Sequence, residues 1–289
     1  MNWADLEKAF NRAILLSLSK RKLALTFPVL VLCGILSVFC RAVSFEAGEW
    51  VAMSLAFLPI LLSSGLLLAL GVLLIRLHHH EAKRLVLDFR RLASGSMDLV
   101  IGASYLSLLP VVAYLFLWTL LGIFFLLKEI PFVGDFFSVV FSFGPFLLIF
   151  GSLLLCLFNL GLLFFVAPAA ALHPLRNIPL AKRVGTLLAQ KLLTALILFF
   201  IALVPIVCVV GLLSLAAILT NVTFLVAERS LSVALEWFFI MLPFAAILSP
   251  AVVFFFNFAA ESYQILQKIP SPANALYGEK PREPAGSPR

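Results

Sequence analysis

Charge is scarce in this sequence of 289 residues: 14 are acidic, 21 are Lys or Arg, and together they make up 12% of the chain. A soluble domain carries about 25%. With 63% hydrophobic residues and a mean hydropathy of +1.13, too little polar surface remains to cover a water-soluble fold. Lipid is the solvent that resolves the mismatch. Cysteine is also sparse. Cys33, Cys40, Cys156 and Cys208 all lie in apolar runs without a CxxC pair, a setting in which thiols act as small packing groups. No Walker loop, HExxH, Ser-His-Asp arrangement or paired carboxylate is present. No enzymatic chemistry and no cofactor are therefore expected.

What the chain has instead is six long stretches free of charge: Leu23–Cys40, Val51–Ile75, Leu99–Leu127, Phe136–Leu172, Leu192–Ala227 and Trp237–Ala260. A helix crossing the hydrocarbon layer needs about 20 apolar residues. The expected fold class is all-α, a polytopic transmembrane helical bundle of about six spans. Ala42-Val43-Ser44 has the form of a signal-cleavage site, but a leading region of 22 residues and five later spans favour an uncleaved first span. Two runs are too long, since Phe136–Leu172 and Leu192–Ala227 would each exceed about 50 Å as straight helices. Gly144-Pro145 and Pro168 bracket one span within the first run, and Gly211 ends one within the second. The surplus pieces, 136–144 and 215–227, are expected as short interfacial or re-entrant helices on one side.

The basic residues are unevenly placed. Of the 21 Lys and Arg, 18 fall in the N-terminal segment, the second and fourth loops and the tail. Arg41, Lys128 and Arg229 fall on the other side. The split alternates across every span and puts the N-terminus and the C-terminus in the cytoplasm. The domains expected are an amphipathic interfacial helix over 1–22, a six-span domain over 23–262, and a disordered cytoplasmic tail over 263–289. In the first, Trp3, Leu6, Phe10, Ile14 and Leu18 form one apolar stripe, which suits either a membrane surface or packing on the bundle. In the tail, five prolines accompany Gly, Ser and charged residues.

Cationic residues at the ends of spans suit anionic lipid headgroups. The candidates are Lys20, Arg21, Lys22, Arg90, Arg91, Lys182 and Arg183. A protein partner or a second copy is also compatible with this collar. Nucleic acid is not expected, because no basic patch carries interleaved base-reading residues. Three consecutive histidines, His78, His79 and His80, point about 100° apart on a helix and cannot converge on one metal. They read as a solvated stretch at the membrane edge, with Glu81 beside them. Glu261, at the inner edge of the last span, reads as a headgroup contact.

Within the spans, polar groups are few. Asn159 and Asn257 are the candidates for an intramembrane polar site, since an amide in hydrocarbon needs a partner. Prolines lie in or near every run, at 28, 59, 110, 145, 168, 205, 243 and 250, so proline-broken helices of the kind transporters use are one expectation. Small residues four apart, such as Gly65 with Ala69 and Ala245 with Ser249, offer close helix packing.

One stretch carries a resemblance. Phe165-Val166-Ala167-Pro168 ends a span, and Leu180-Ala181-Lys182-Arg183-Val184-Gly185-Thr186-Leu187-Leu188 forms a basic amphipathic piece before the next. This resembles six-span bacterial inner-membrane proteins of unknown function related to the membrane domain of glycerophosphodiester phosphodiesterases. The order of segments matches over nearly the whole chain. The resemblance implies a bacterial inner (plasma) membrane. It does not imply phosphodiesterase activity, because no catalytic domain follows the last span. The functional expectation is a non-enzymatic membrane scaffold or partner subunit, with a transporter or channel component and a lipid-handling protein as alternatives.

Overall fold

A computed structural model describes residues 3–44, 49–82, 107–128, 143–172, 184–186, 189–219 and 231–268. The described elements are helices: α1 (Trp3–Leu15), α2 (Lys20–Ser44), α3 (Glu49–Ala82), α4 (Leu108–Lys128), α5 (Gly144–Leu172), α6 (Leu192–Leu219) and α7 (Leu231–Lys268). Helix is the element these runs must form, because hydrocarbon offers no partner to a free backbone N–H or C=O. Five helices, α2, α3, α5, α6 and α7, are long and apolar enough to cross a membrane, and α4 contributes a shorter apolar one. The molecule is a multi-pass helical bundle of about six spans.

α7 is the axis. It touches α1, α2, α3, α5 and α6, while α3 packs on α2, α4, α5 and α7. From Ala251 to Tyr263 every α7 residue is buried, so this stretch is apolar nearly all round, as a fully surrounded helix must be. Phe164 of α5 meets Phe255 of α7 at 5.5 Å and stands edge-on to Phe199 of α6 at 5.6 Å. A second cluster, Leu61, Tyr114, Trp118, Leu121 and Leu148, ties α4 to α3 and α5. There the Tyr114 hydroxyl donates to the Ser54 carbonyl. α4 starts beside Gly65, where a Cβ would lie 2.9 Å from Ser107 Oγ, midway along α3.

Several sequence expectations change. Pro28, Pro59, Pro168, Pro205, Pro243 and Pro250 lie inside continuous helices. Each removes one hydrogen bond, yet leaving the helix would strand many more groups in lipid. Pro110 and Pro145 sit in first turns, where the N–H has no helical partner in any case. α5 begins at Gly144 as expected but runs past Pro168 to Leu172. α6 passes through Gly211 to Leu219, so no span ends at that glycine. Of the surplus pieces, residues 136–142 and 220–227 lie outside the described residues, as do 83–106 and the tail from 269.

The domain boundaries also move. α2 starts at Lys20 and α7 continues to Lys268, so the bundle extends beyond 23–262 at both ends. α1 is packed on the bundle: Leu6, Ala9 and Ala13 are buried, and Phe10 stands edge-on to Phe254 and Phe258 at 5.4 and 6.1 Å. At about 1.5 Å per residue, α3 and α7 reach roughly 50 Å or more, well beyond a hydrocarbon layer of about 30 Å. Their excess carries the charged residues considered next.

α3 and α7 pack tightly at Gly71, where a Cβ would enter the Phe256 ring. Gly71→Leu should therefore destabilise the bundle by about 1–3 kcal/mol, the usual cost of overpacking. Its thermal unfolding midpoint in detergent should fall. Gly161→Ala, which faces open space, should leave the midpoint unchanged or raise it.

Candidate functional site

The N-terminus of α2 and the C-termini of α3, α5 and α7 meet at one end of the bundle, here called the basic end. Two cations clasp neighbouring helices there. Arg76 Nε donates to the Ala171 carbonyl at 3.4 Å, and Lys191 Nζ donates to the Leu266 carbonyl at 2.5 Å. Each serves a carbonyl in the last turns of a helix, where the helix supplies no donor of its own. Desolvation lowers the Lys191 pKa.

Between these clasps and α1 lies a buried ionic cluster. Lys22 is fully buried. Its ammonium lies 2.8 Å from Glu81 Oε2 and donates to Asn257 Oδ1 at 3.2 Å and to the Leu16 carbonyl at 3.5 Å. Two of the three ammonium donors are hydrogen-bonded to Asn257 and Leu16, and Glu81 supplies the ionic contact. The Asn257 amide in turn donates to the Ala13 carbonyl at 3.5 Å, and Ser19 Oγ donates to Glu81 Oε1 at 3.4 Å. Lys22 Nζ thus joins α2, α3, α7 and the turn that follows α1.

A second carboxylate sits beside it. Glu261 Oε1 receives both His78 Nε2 at 3.0 Å and Arg12 Nη1 at 3.4 Å. An ionised Glu261 is acceptor only, so His78 donates through Nε2, the tautomer being assigned from this partner. His78 Nδ1 and Ser262 Oγ are buried without a hydrogen-bond partner among the described residues.

The cluster corrects four readings of the sequence. Lys22 does not reach headgroups; its side chain points into the bundle. Lys20 and Arg21, two positions and one position earlier, are exposed. His78 is 1% exposed rather than solvated. Glu261 is buried and paired rather than at the lipid surface, and Glu81 is paired with Lys22. Arg90, Arg91, Lys182 and Arg183 lie outside the described residues. Charge therefore does occur inside the bundle, contrary to the reading of the spans as charge-free.

Asn159 and Asn257 are both buried, but they do not form one site. α5 and α7 run in the same direction with Phe164 level with Phe255, which places Asn159 about seven residues, or about 10 Å, farther from the basic end. The signal missed in the sequence is facial. Asn257 and Glu261 are four apart, as are Lys22 and Thr26, and His78 and Glu81 are three apart. Each pair shares one helix face with the apolar core.

Among the described residues, no group of three His, Cys, Asp or Glu could hold a metal ion. The chain matches no protein-family model, no curated protein and no solved structure.

What the cluster does chemically is hold helices together. Breaking a buried pair by removing one partner costs about 3–5 kcal/mol, because the other charge is left uncompensated. Lys22→Met should lower stability on that scale in detergent unfolding, and Lys22→Met with Glu81→Gln should recover a large part of it. Equal losses in the single and double variants would show that the pairing contributes nothing. Arg12 is different, since its side chain is 56% exposed. Arg12→Gln should cost less than about 1 kcal/mol by the same measurement.

Proposed function

We propose that the protein is a non-enzymatic membrane scaffold or partner subunit, held in a bacterial inner membrane with its basic end in the cytoplasm. The observation that carries this reading is that the charged groups of the cluster pair with one another. Lys22 meets Glu81, Asn257 and the Leu16 carbonyl, and Glu261 is shared by His78 and Arg12.

Two observations favour the scaffold over a transporter: the prolines leave the helices continuous, and Asn257 is committed to Lys22 and to Ala13. The outward side of the basic end has the character of a contact surface. Trp3, Leu15 and Leu18 are exposed beside the exposed cations Arg12, Lys20 and Arg21. Apolar groups next to basic ones suit the boundary between acyl chains and anionic headgroups, and the same surface can receive a partner protein or a second copy.

Two measurements on one preparation test the proposal. Mass spectrometry of the protein isolated in native-lipid discs should show a partner chain, or a second copy, at whole-number stoichiometry. Liposomes containing only this protein should show no saturable flux of ions or small solutes. Saturable flux from the protein alone would overturn the scaffold reading.

A further inference from the structure

Away from the basic end, α2, α6 and α7 enclose a cavity of about 220 Å³. Leu30 and Gly34 of α2, Met241 and Leu248 of α7, and Leu213 and Ser214 of α6 line it. Two of its three walls are joined to each other. α2 packs along α7, and a Cβ on Gly34 would lie 2.4 Å from Met241 Cγ. The third wall is held differently.

α6 is anchored at its foot. Lys191, just before its first residue, reaches the Leu266 carbonyl of α7. Ala195, Leu198, Phe199 and Ala202 are buried, and Phe199 stands against Phe164 and Phe165 at 5.6 and 6.2 Å. No residue from Leu203 to Leu219 is buried. Ile206, Val209 and Leu213 continue the face of Ala202 at helical spacing, yet they are only half-buried. A Cβ on Gly211 would meet open space.

The change from buried to unburied falls at a proline. Pro205 lies inside α6. It has no N–H, so the Ile201 carbonyl one turn earlier lacks its helical donor, and the ring crowds that carbonyl. Sharp bends in long helices gather at prolines for this reason. On one side of Pro205, aromatic packing and the Lys191 contact fix the helix. On the other, the cavity gives it room to move.

We propose that the outer part of α6, from Pro205 to Leu219, is a strap that pivots at Pro205, swinging toward α2 and α7 and back, so that it closes and opens the cavity. The moving part supplies its own filling, because closure brings Leu213 and Ser214 toward Leu30 and Gly34 and gives the lining atoms contacts that a void denies them. A bend of about 20° carries Ile218, about 20 Å beyond the proline, through about 7 Å. The ionic cluster lies at the other end of the bundle, so the pivot and the scaffold reading stand or fall separately.

The test measures distances between pairs of spin labels by double electron–electron resonance, on the full chain in lipid discs with its four cysteines replaced by Ala. Labels at Phe39→Cys of α2 and Ile218→Cys of α6, both exposed, report the outer ends of the two helices. Labels at Phe27→Cys and Leu196→Cys, also exposed, report the anchored part. The outer pair should show two distances differing by up to about 7 Å, and the anchored pair one narrow distribution. Pro205→Ala restores the missing N–H and should collapse the outer pair to a single distance. Ser214→Trp fills the cavity from an exposed position and should remove the shorter distance, and it serves as the second variant should Pro205→Ala not fold. One narrow distance for the outer pair, equal spread in both pairs, or two distances that neither variant changes would each overturn the pivot.

Discussion

Everything at the basic end depends on one requirement: a Lys22 ammonium excluded from water must find three acceptors inside the protein. No single helix can supply them. One comes from the carbonyl end of α1, one from the α3 carboxylate Glu81 and one from the α7 amide Asn257. The four elements are thereby brought into fixed register. Apolar packing alone sets register loosely in a bilayer, where lipid tails compete with side chains on nearly equal terms. A buried polar group restricts the arrangements that leave it satisfied.

The same requirement explains why α1 belongs to the bundle. Its last turn and the residue after it present carbonyl oxygens to Asn257 and to Lys22, and Phe10 stands edge-on to the stacked Phe254 and Phe258. A helix held only by lipid would satisfy its own apolar stripe but would leave Lys22 short of an acceptor. The stripe read from the sequence is real. Part of it, Leu6 and Phe10, turns toward α7, while Trp3 and Leu18 stay outside.

The helical bundle was legible because its signal is long-range and redundant. Each run of apolar residues is many turns long, and hydrocarbon permits one backbone solution. The site was not legible, because hydropathy ends a span at the first charge. That rule starts the first span at Leu23, excludes Lys22, and ends the second at Ile75, short of His78 and Glu81. The helices ignore these limits, since a charge with partners can follow its helix into the bundle. Whether partners exist depends on which helices are neighbours, and one sequence does not contain that information. Gly211 and Pro168 mislead for a related reason. Their signals as helix breakers come from water, where a freed backbone group is readily solvated.

The two ends of the bundle are consequently unlike. At the basic end, ion pairs, carbonyl clasps and a continuous aromatic core from Phe164 to Phe258 leave little freedom. Toward the other end α6 buries no residue after Ala202, and α2 and α7 share their space with a cavity. Local stability follows the density of buried contacts, so the far half is the part of this molecule free to adjust to what lies against it. In a bilayer that neighbour is lipid or another helix. A bundle rigid at one end and adaptable at the other can hold a fixed surface at the basic end while conforming to its surroundings within the membrane.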